Sequence, residues 1–191
     1  MGRMLQYNEI KEKKIIELNG EPYEVLSSKV FRKQQRKPVN QTKLKNLITG
    51  KVIEESFHQS EKAEEAELET RELKYLYNNK GQYWFSAPEN ASQRFFVAEE
   101  MIPPGFRFIK ENEKVSAIEW KNGIIGFKLP VKVSLRVVEA PPSLRGDTAT
   151  GGDKKIILET GAVITVPLFI SEGEMIEVNT ETASYAGRAQ K

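Results

Sequence analysis

Between Lys29 and Lys45 the chain reads KVFRKQQRKPVNQTKLK, with seven cations and no acid. The cations are Lys29, Arg32, Lys33, Arg36, Lys37, Lys43 and Lys45. Such a run suits phosphate oxygens, because each Lys or Arg set against a nucleic-acid backbone releases condensed counterions. A mobile, solvated connector is the plainer reading of a charged stretch. An ordinary connector has no reason to exclude every acid.

A second stretch, Pro141 to Gly152 (PPSLRGDTATGG), is glycine-rich and presents Arg145, Asp147, Thr148 and other hydroxyls. Loops of this composition offer backbone N–H groups and short polar side chains to RNA base edges and 2′-hydroxyls. An ordinary long loop can share the composition. Gly151 and Gly152 are expected to take backbone angles that a Cβ resists.

Catalytic constellations are missing from the sequence. His58 is the only histidine and there is no cysteine, which excludes multi-histidine and thiolate metal sites and any disulfide framework. No P-loop, dinucleotide fingerprint or nucleophile elbow occurs. Glu61, Glu64, Glu65, Glu67, Glu69 and Glu72 read as a solvated acidic face rather than a metal or acid–base pair. The expectation is a protein with no catalytic residue, no metal and no cofactor. No segment approaches the length of a membrane span, and Met1 to Met4 open no secretory signal, so no membrane partner is expected. The missing cysteines agree with a reducing, cytoplasmic setting.

The elements that would carry these segments are strands. Asn19-Gly20 separates Lys14–Leu18 from Pro22–Leu26, a strong hairpin signal because both turn residues tolerate positive φ. Asn122-Gly123 repeats it between Ser116–Trp120 and Ile124–Phe127, and Asn78-Asn79-Lys80-Gly81 joins Tyr75–Tyr77 to Tyr83–Phe85. Further strands are read at Ile156–Leu158, Ala162–Phe169 and Met175–Val178. Helix is scarce, with a turn or two expected over Ser92–Glu100 and near Ser60–Ala66. Many short strands with polar turns imply an all-β chain of small barrels. Breaks near Ala66 and Pro130 give domains 1–66, 67–130 and 131–191. The basic run then becomes the end of a long hairpin, whose arms of six or seven residues reach roughly 20 Å from the first barrel. Charge follows the same division. Residues 1–60 hold 12 Lys or Arg against 7 Asp or Glu, while the rest of the chain is slightly acidic. One end is therefore suited to a polyanion.

Gly20-Glu21-Pro22-Tyr23, the basic hairpin and Lys43 to Val52 (KLKNLITGKV) resemble the first domain of the bacterial elongation factor P family. Tyr75-Leu76-Tyr77 with Tyr83-Trp84-Phe85 resembles its second domain. Arg145-Gly146-Asp147-Thr148, Thr160 to Val163, Val166 to Phe169, Tyr185 and Arg188 resemble its third. The resemblance runs from Met4 to Arg188.

It implies a KOW-type, SH3-like barrel followed by two OB-fold barrels in an L shape similar to tRNA. It implies a monomeric, non-enzymatic factor that binds both ribosomal subunits between the P and E sites. Such a factor positions P-site peptidyl-tRNA, mainly prolyl, and promotes peptide bond formation at consecutive prolines. The tip, Gln35 with Gln34 and Arg36, would face the CCA end, with Arg32, Lys33, Lys37, Lys43 and Lys45 on phosphates. Arg145, Gly146, Asp147, Thr148, Gly151 and Gly152 would lie by the mRNA near the E-site codon, with Tyr185 and Arg188 as C-terminal contacts. Gln35 stands where many members carry a modified Lys or Arg, so the modification does not carry over. A divergent paralogue with another ribosomal task, or a general OB-type RNA-binding protein, are the competing readings.

Overall fold

The computed structural model describes residues 2–32, 37–142 and 152–189. Six strands form the first sheet: β1 (Met4–Gln6), β2 (Ile15–Leu18), β3 (Glu21–Phe31), β4 (Val39–Asn46), β5 (Val52–His58) and β6 (Lys62–Glu65). Their spatial order is β1-β6-β2-β3-β4-β5. Successive side chains of a strand point to opposite faces. One face of each therefore sends Leu5, Ile16, Tyr23, Val25, Leu44, Phe57 and Ala63 into a common core with Ile10.

The second sheet holds β7 (Glu69–Asn79), β8 (Gln82–Ala87), β9 (Asn90–Ala98), β10 (Lys114–Trp120) and β11 (Gly123–Lys128). Its order is β11-β10-β7-β8-β9. The third holds β12 (Lys132–Glu139), β13 (Asp153–Leu158), β14 (Val163–Pro167), β15 (Met175–Asn179) and β16 (Ser184–Arg188). Its order is β14-β13-β12-β15-β16, and its two edge strands lie against each other, closing the sheet. The all-β reading is correct. Each sheet draws its strands from one stretch of chain, with β6 ending at Glu65, β7 beginning at Glu69, β11 ending at Lys128 and β12 beginning at Lys132. The chain forms two compact units, Met1–Arg71 with Ala117–Gly126, and Glu72–Ser116 with Phe127–Lys191.

Local expectations fare unevenly. Asn19 and Gly20 have φ of 53° and 81°, as the turn of the first hairpin requires. In the β10–β11 hairpin the turn falls one residue early, on Lys121 and Asn122 (φ 47° and 66°), and Gly123 already begins β11. The β7–β8 turn is likewise confined to Lys80 and Gly81 (φ 51° and 78°). The helical turns expected over Ser92–Glu100 and Ser60–Ala66 are mostly strands β9 and β6, with one 3₁₀ turn, Glu99–Met101, following β9. Phe95 and Phe96 pair with Phe85 and Trp84 across β8, and Ala63 pairs with Leu5 in the core. In both cases cross-strand pairing outweighs local propensity.

The second unit is organised by one 3₁₀ turn, Pro104–Phe108. Phe106 meets Tyr75 edge-on at 4.9 Å and Phe127 at 5.6 Å in the aromatic core of the second sheet. Two residues on, Phe108 enters the core of the third sheet beside Leu135, Leu158 and Ile176. Gly105, between the prolines and Phe106, is pressed against Thr180. A Cβ there would stand 2.4 Å from the Thr180 carbonyl oxygen. Overpacking of this kind costs about 1–3 kcal/mol. Gly105→Ala should therefore lower stability by an amount in that range, read as a shifted urea midpoint. An unshifted midpoint would show that the turn yields freely.

Tyr75 is 7 % exposed. Burial, with Glu111 and then Tyr83 nearby, pushes its phenol up to about 12 from the usual 10. The folded state thus holds that proton at pH values where the unfolded chain has released it. Stability contributed by neutral Tyr75 is complete below pH 10 and is lost as pH rises from 10 towards 12. Tyr75→Phe should flatten this alkaline decline in unfolding titrations.

Candidate nucleic-acid interface

The basic segment is carried by β3 and β4, which pair from Tyr23↔Asn46 to Phe31↔Val39. Leu26 has no partner of its own, since Val25 faces Leu44 and Ser27 faces Lys43. This bulge bends the strand where the arm leaves the barrel. Five residue pairs, Ser27↔Lys43 to Phe31↔Val39, follow it, which gives an arm of roughly 17 Å at 3.3 Å per residue. The arm is not a bare two-stranded finger. β5 accompanies β4 along its whole length, from Lys45↔Val52 to Val39↔His58.

Three cross-strand rows make up the outward face of this three-stranded arm. They are Phe31–Val39–His58, Lys29–Gln41–Ser56 and Ser27–Lys43–Glu54, read from the arm's far end inward. A groove of 340 Å³ runs over them. Lys43 and Lys45 are exposed as expected, but Glu54 stands opposite Lys43 and Glu24 opposite Lys45. A run free of acid in sequence is therefore not free of acid in space, because β5 and β3 supply carboxylates to the inner rows. Exposed Lys29, Arg32 and Lys37 lie distally, where the register places no acid. Lys33, Gln34, Gln35 and Arg36 lie outside the described residues.

Phe31 was not singled out in the sequence, yet its ring is 48 % exposed between Val30 and Arg32. His58 ends β5 in the same row and is exposed too. A period-two count outward from Lys43, through Gln41 to Val39 and across to Phe31, would have found this face.

The opposite face of β4 is polar and buried. Asn40 Nδ2 donates to the carbonyl oxygens of Tyr7 at 2.7 Å and Ile10 at 2.9 Å. The Ser28 hydroxyl lies 2.8 Å from the Ile10 oxygen and 3.0 Å from Asn40 Oδ1. Thr42 Oγ1 donates to the Glu55 carbonyl at 2.9 Å. Asn46 donates to Glu21 at 2.6 Å and accepts from the amides of Ile48 and Thr49, closing the β4–β5 turn.

In the third sheet, Arg145, Gly146, Asp147, Thr148 and Gly151 fall outside the described residues. A Cβ on Gly152 would come within 3.2 Å of Leu168 Cδ1, the end of a flexible side chain. Arg188 is already engaged. Its Nε donates to Glu174 at 3.1 Å and its guanidinium lies 5.0 Å from the centre of the Phe169 ring. Tyr185 is half-buried against the core of the third sheet. Among the described residues no cluster of His, Asp or Glu could hold a metal ion, and no helix is long and apolar enough to cross a membrane.

The architecture is thus a first β-barrel with a bent cationic arm, followed by two further β-sheets. The description "Elongation factor P (EF-P) KOW-like domain" matches residues 6–63, and "Elongation factor P, C-terminal" matches residues 133–188. Elongation factor P of Moorella thermoacetica is 38% identical over 186 residues, covering 97% of this chain and 100% of the relative. That of Dictyoglomus turgidum is 40% identical over the same shares. Among solved structures, "Eukaryotic translation initiation factor 5A from Methanococcus jannaschii" aligns with a TM-score of 0.52 at 15% identity, over 66% of this chain and 90% of that one. This last likeness is one of fold. The chain belongs to the elongation factor P family, a family of translation factors.

Asn40 is fully buried. Removing its amide takes the side-chain donor from the Tyr7 carbonyl and leaves that of Ile10 to the Ser28 hydroxyl alone, and an unsatisfied buried group costs about 1–3 kcal/mol. Asn40→Ala should thus destabilise by about 1–3 kcal/mol. Asn40→Asp should be worse at neutral pH, because a carboxylate would face two carbonyl oxygens, and should recover partly in acid. Urea unfolding at two pH values checks both, and equal stabilities for all three proteins would remove Asn40 as the anchor.

Proposed function

We propose that this chain binds the ribosome between the P and E sites, positions peptidyl-tRNA and promotes peptide bond formation at consecutive prolines. The observation that carries the proposal is the three-stranded arm with Lys29, Arg32 and Lys37 gathered at its distal end. Cations there can meet acceptor-stem phosphates while the barrel stays outside the reaction centre. Gln35, with Gln34 and Arg36, faces the CCA end, and Lys33 and Lys37 contact phosphate. Gln35 is an amide that donates and accepts hydrogen bonds without added mass, so the protein works unmodified. Arg145 to Gly152 would approach mRNA by the E-site codon from the third of three domains, 131–191. The contribution is one of orientation, with ribosomal RNA supplying the chemistry. The protein acts as a monomer in the cytoplasm.

The departure at Gln35 from a modifiable tip favours one second reading, a paralogue with a different ribosomal task. Translation of a triple-proline template separates them. Recombinant protein should relieve the stall, and Lys29→Ala, Arg32→Ala and Lys37→Ala together should abolish relief. The same variant should reduce the salt slope of ribosome binding by roughly 0.7–0.9 for each phosphate that no longer meets a cation. Ribosome binding without relief on that template would select the paralogue.

A further inference from the structure

The outward face of the second sheet carries an aromatic row that the arm does not use. Tyr77 on β7, Trp84 on β8 and Phe96 on β9 are direct cross-strand partners. Tyr77 and Trp84 stack at 6.1 Å with an interplanar angle of 25°, and Trp84 lies 5.6 Å from Phe96. Their neighbours Tyr75, Phe85 and Phe95 turn the other way, two of them into the core. Phe96, on the edge strand, is 51 % exposed. The bulge at Leu76 is what puts Tyr77 on this face, since Tyr75 pairs with Phe85 and Tyr77 with Trp84.

The rows on either side decide the occupant. Lys74, Ser86 and Arg94 form one, with Ser86 fully buried between a half-buried Lys74 and an exposed Arg94, and Asn79, Gln82 and Ala98 form the other. Successive rows on a face lie about 7 Å apart, a reach comparable to that from a base across its sugar to its phosphate. Arg94 holds the Ala91 carbonyl through Nε at 2.9 Å. Among the described residues, neither Lys74 nor Arg94 forms an ion pair. The three rows contain no acid, although the surrounding 61–130 stretch holds more acids than bases. Rings flanked by cations on one side and amides on the other match unpaired nucleotides, whose bases stack on aromatic side chains while their phosphates meet cations.

We propose that Tyr77, Trp84 and Phe96 form a stacking platform for single-stranded RNA, with Lys74 and Arg94 on its phosphates. The site is separate from the arm and does not depend on the proposed role of the arm. The test uses full-length protein with Trp120→Phe, which leaves Trp84 as the only tryptophan, and with Lys29, Arg32 and Lys37 changed to Ala. A twelve-nucleotide oligouridylate should quench Trp84 fluorescence saturably. Phe96→Ala, at an exposed position, should weaken that binding about tenfold, within the range for loss of one stacked base. Lys74→Gln with Arg94→Gln should lower the salt slope by roughly 1.4, at 0.7 for each phosphate of a single strand. Unfolding curves for each variant establish that it is folded.

Inorganic polyphosphate quenching Trp84 as well as the oligonucleotide would overturn the proposal, because charge alone would then suffice. So would a folded Phe96→Ala protein with unchanged affinity. If oligouridylate leaves Trp84 unmoved while RNA-free ribosomal protein shields it, the face docks a protein and the RNA proposal falls.

Discussion

Asn40 is buried on a strand whose other inward residues are Thr42, Leu44 and Asn46, so β4 enters its barrel mostly through polar atoms. Such a face is costly to desolvate unless every group finds a partner. Here the amide of Asn40 grips the 7–10 loop, Thr42 grips β5 and Asn46 closes the following turn. These partners tolerate one register only. A slip of one residue would turn Gln41, Lys43 and Lys45 inward and the polar anchors outward. The placement of cations on the solvent side thus follows from hydrogen bonds on the other side of the same strand.

Much of this architecture was legible because local signals agreed with tertiary ones. Asn19-Gly20 is a turn in sequence and in space, and the alternation of β4 is plain in VNQTKLKN. The misreadings occurred where a residue type has two uses. Asn122-Gly123 looks like a turn, yet Lys121 takes the first left-handed position and its ammonium reaches Glu17 at 2.8 Å. The φ > 0 preference of glycine is a local property, whereas the placement of the turn also depends on which strands must pair. No sequence signal marks Gly105 as the point where a carbonyl comes within 2.4 Å of a would-be Cβ.

The charge of the arm was likewise legible only in part. Sequence neighbours of Lys43 are neutral, but its spatial neighbour is Glu54 from a strand that begins nine residues later. Charges facing one another across strands attract, so Lys43 and Lys45 are better placed to steady the arm than to meet a polyanion. That leaves the distal cations with no acid opposite them in the register of β3, β4 and β5, although Glu61 reaches the same end by accepting from the His58 amide at 2.6 Å. The sequence could show the number of charges, but only the pairing of β4 with β5 shows which are compensated.

Phe106 and Phe108 impose the corresponding constraint on the second unit. In a 3₁₀ turn, residues two apart point well away from each other, since three residues complete a circuit. One short segment can therefore fill two cores with closely spaced large side chains. Phe106 is packed by Tyr75, Phe85 and Phe127, and Phe108 by aliphatic residues of the third sheet. Tilting the turn to relieve one ring would draw the other from its own core, so the two sheets are held to a common frame within this unit. The aromatic row of Tyr77, Trp84 and Phe96 lies on the far side of the strands that pack Phe106. Its inner face is fixed by interlocked rings, and a rigid platform of this kind loses little conformational entropy on receiving a stacked partner.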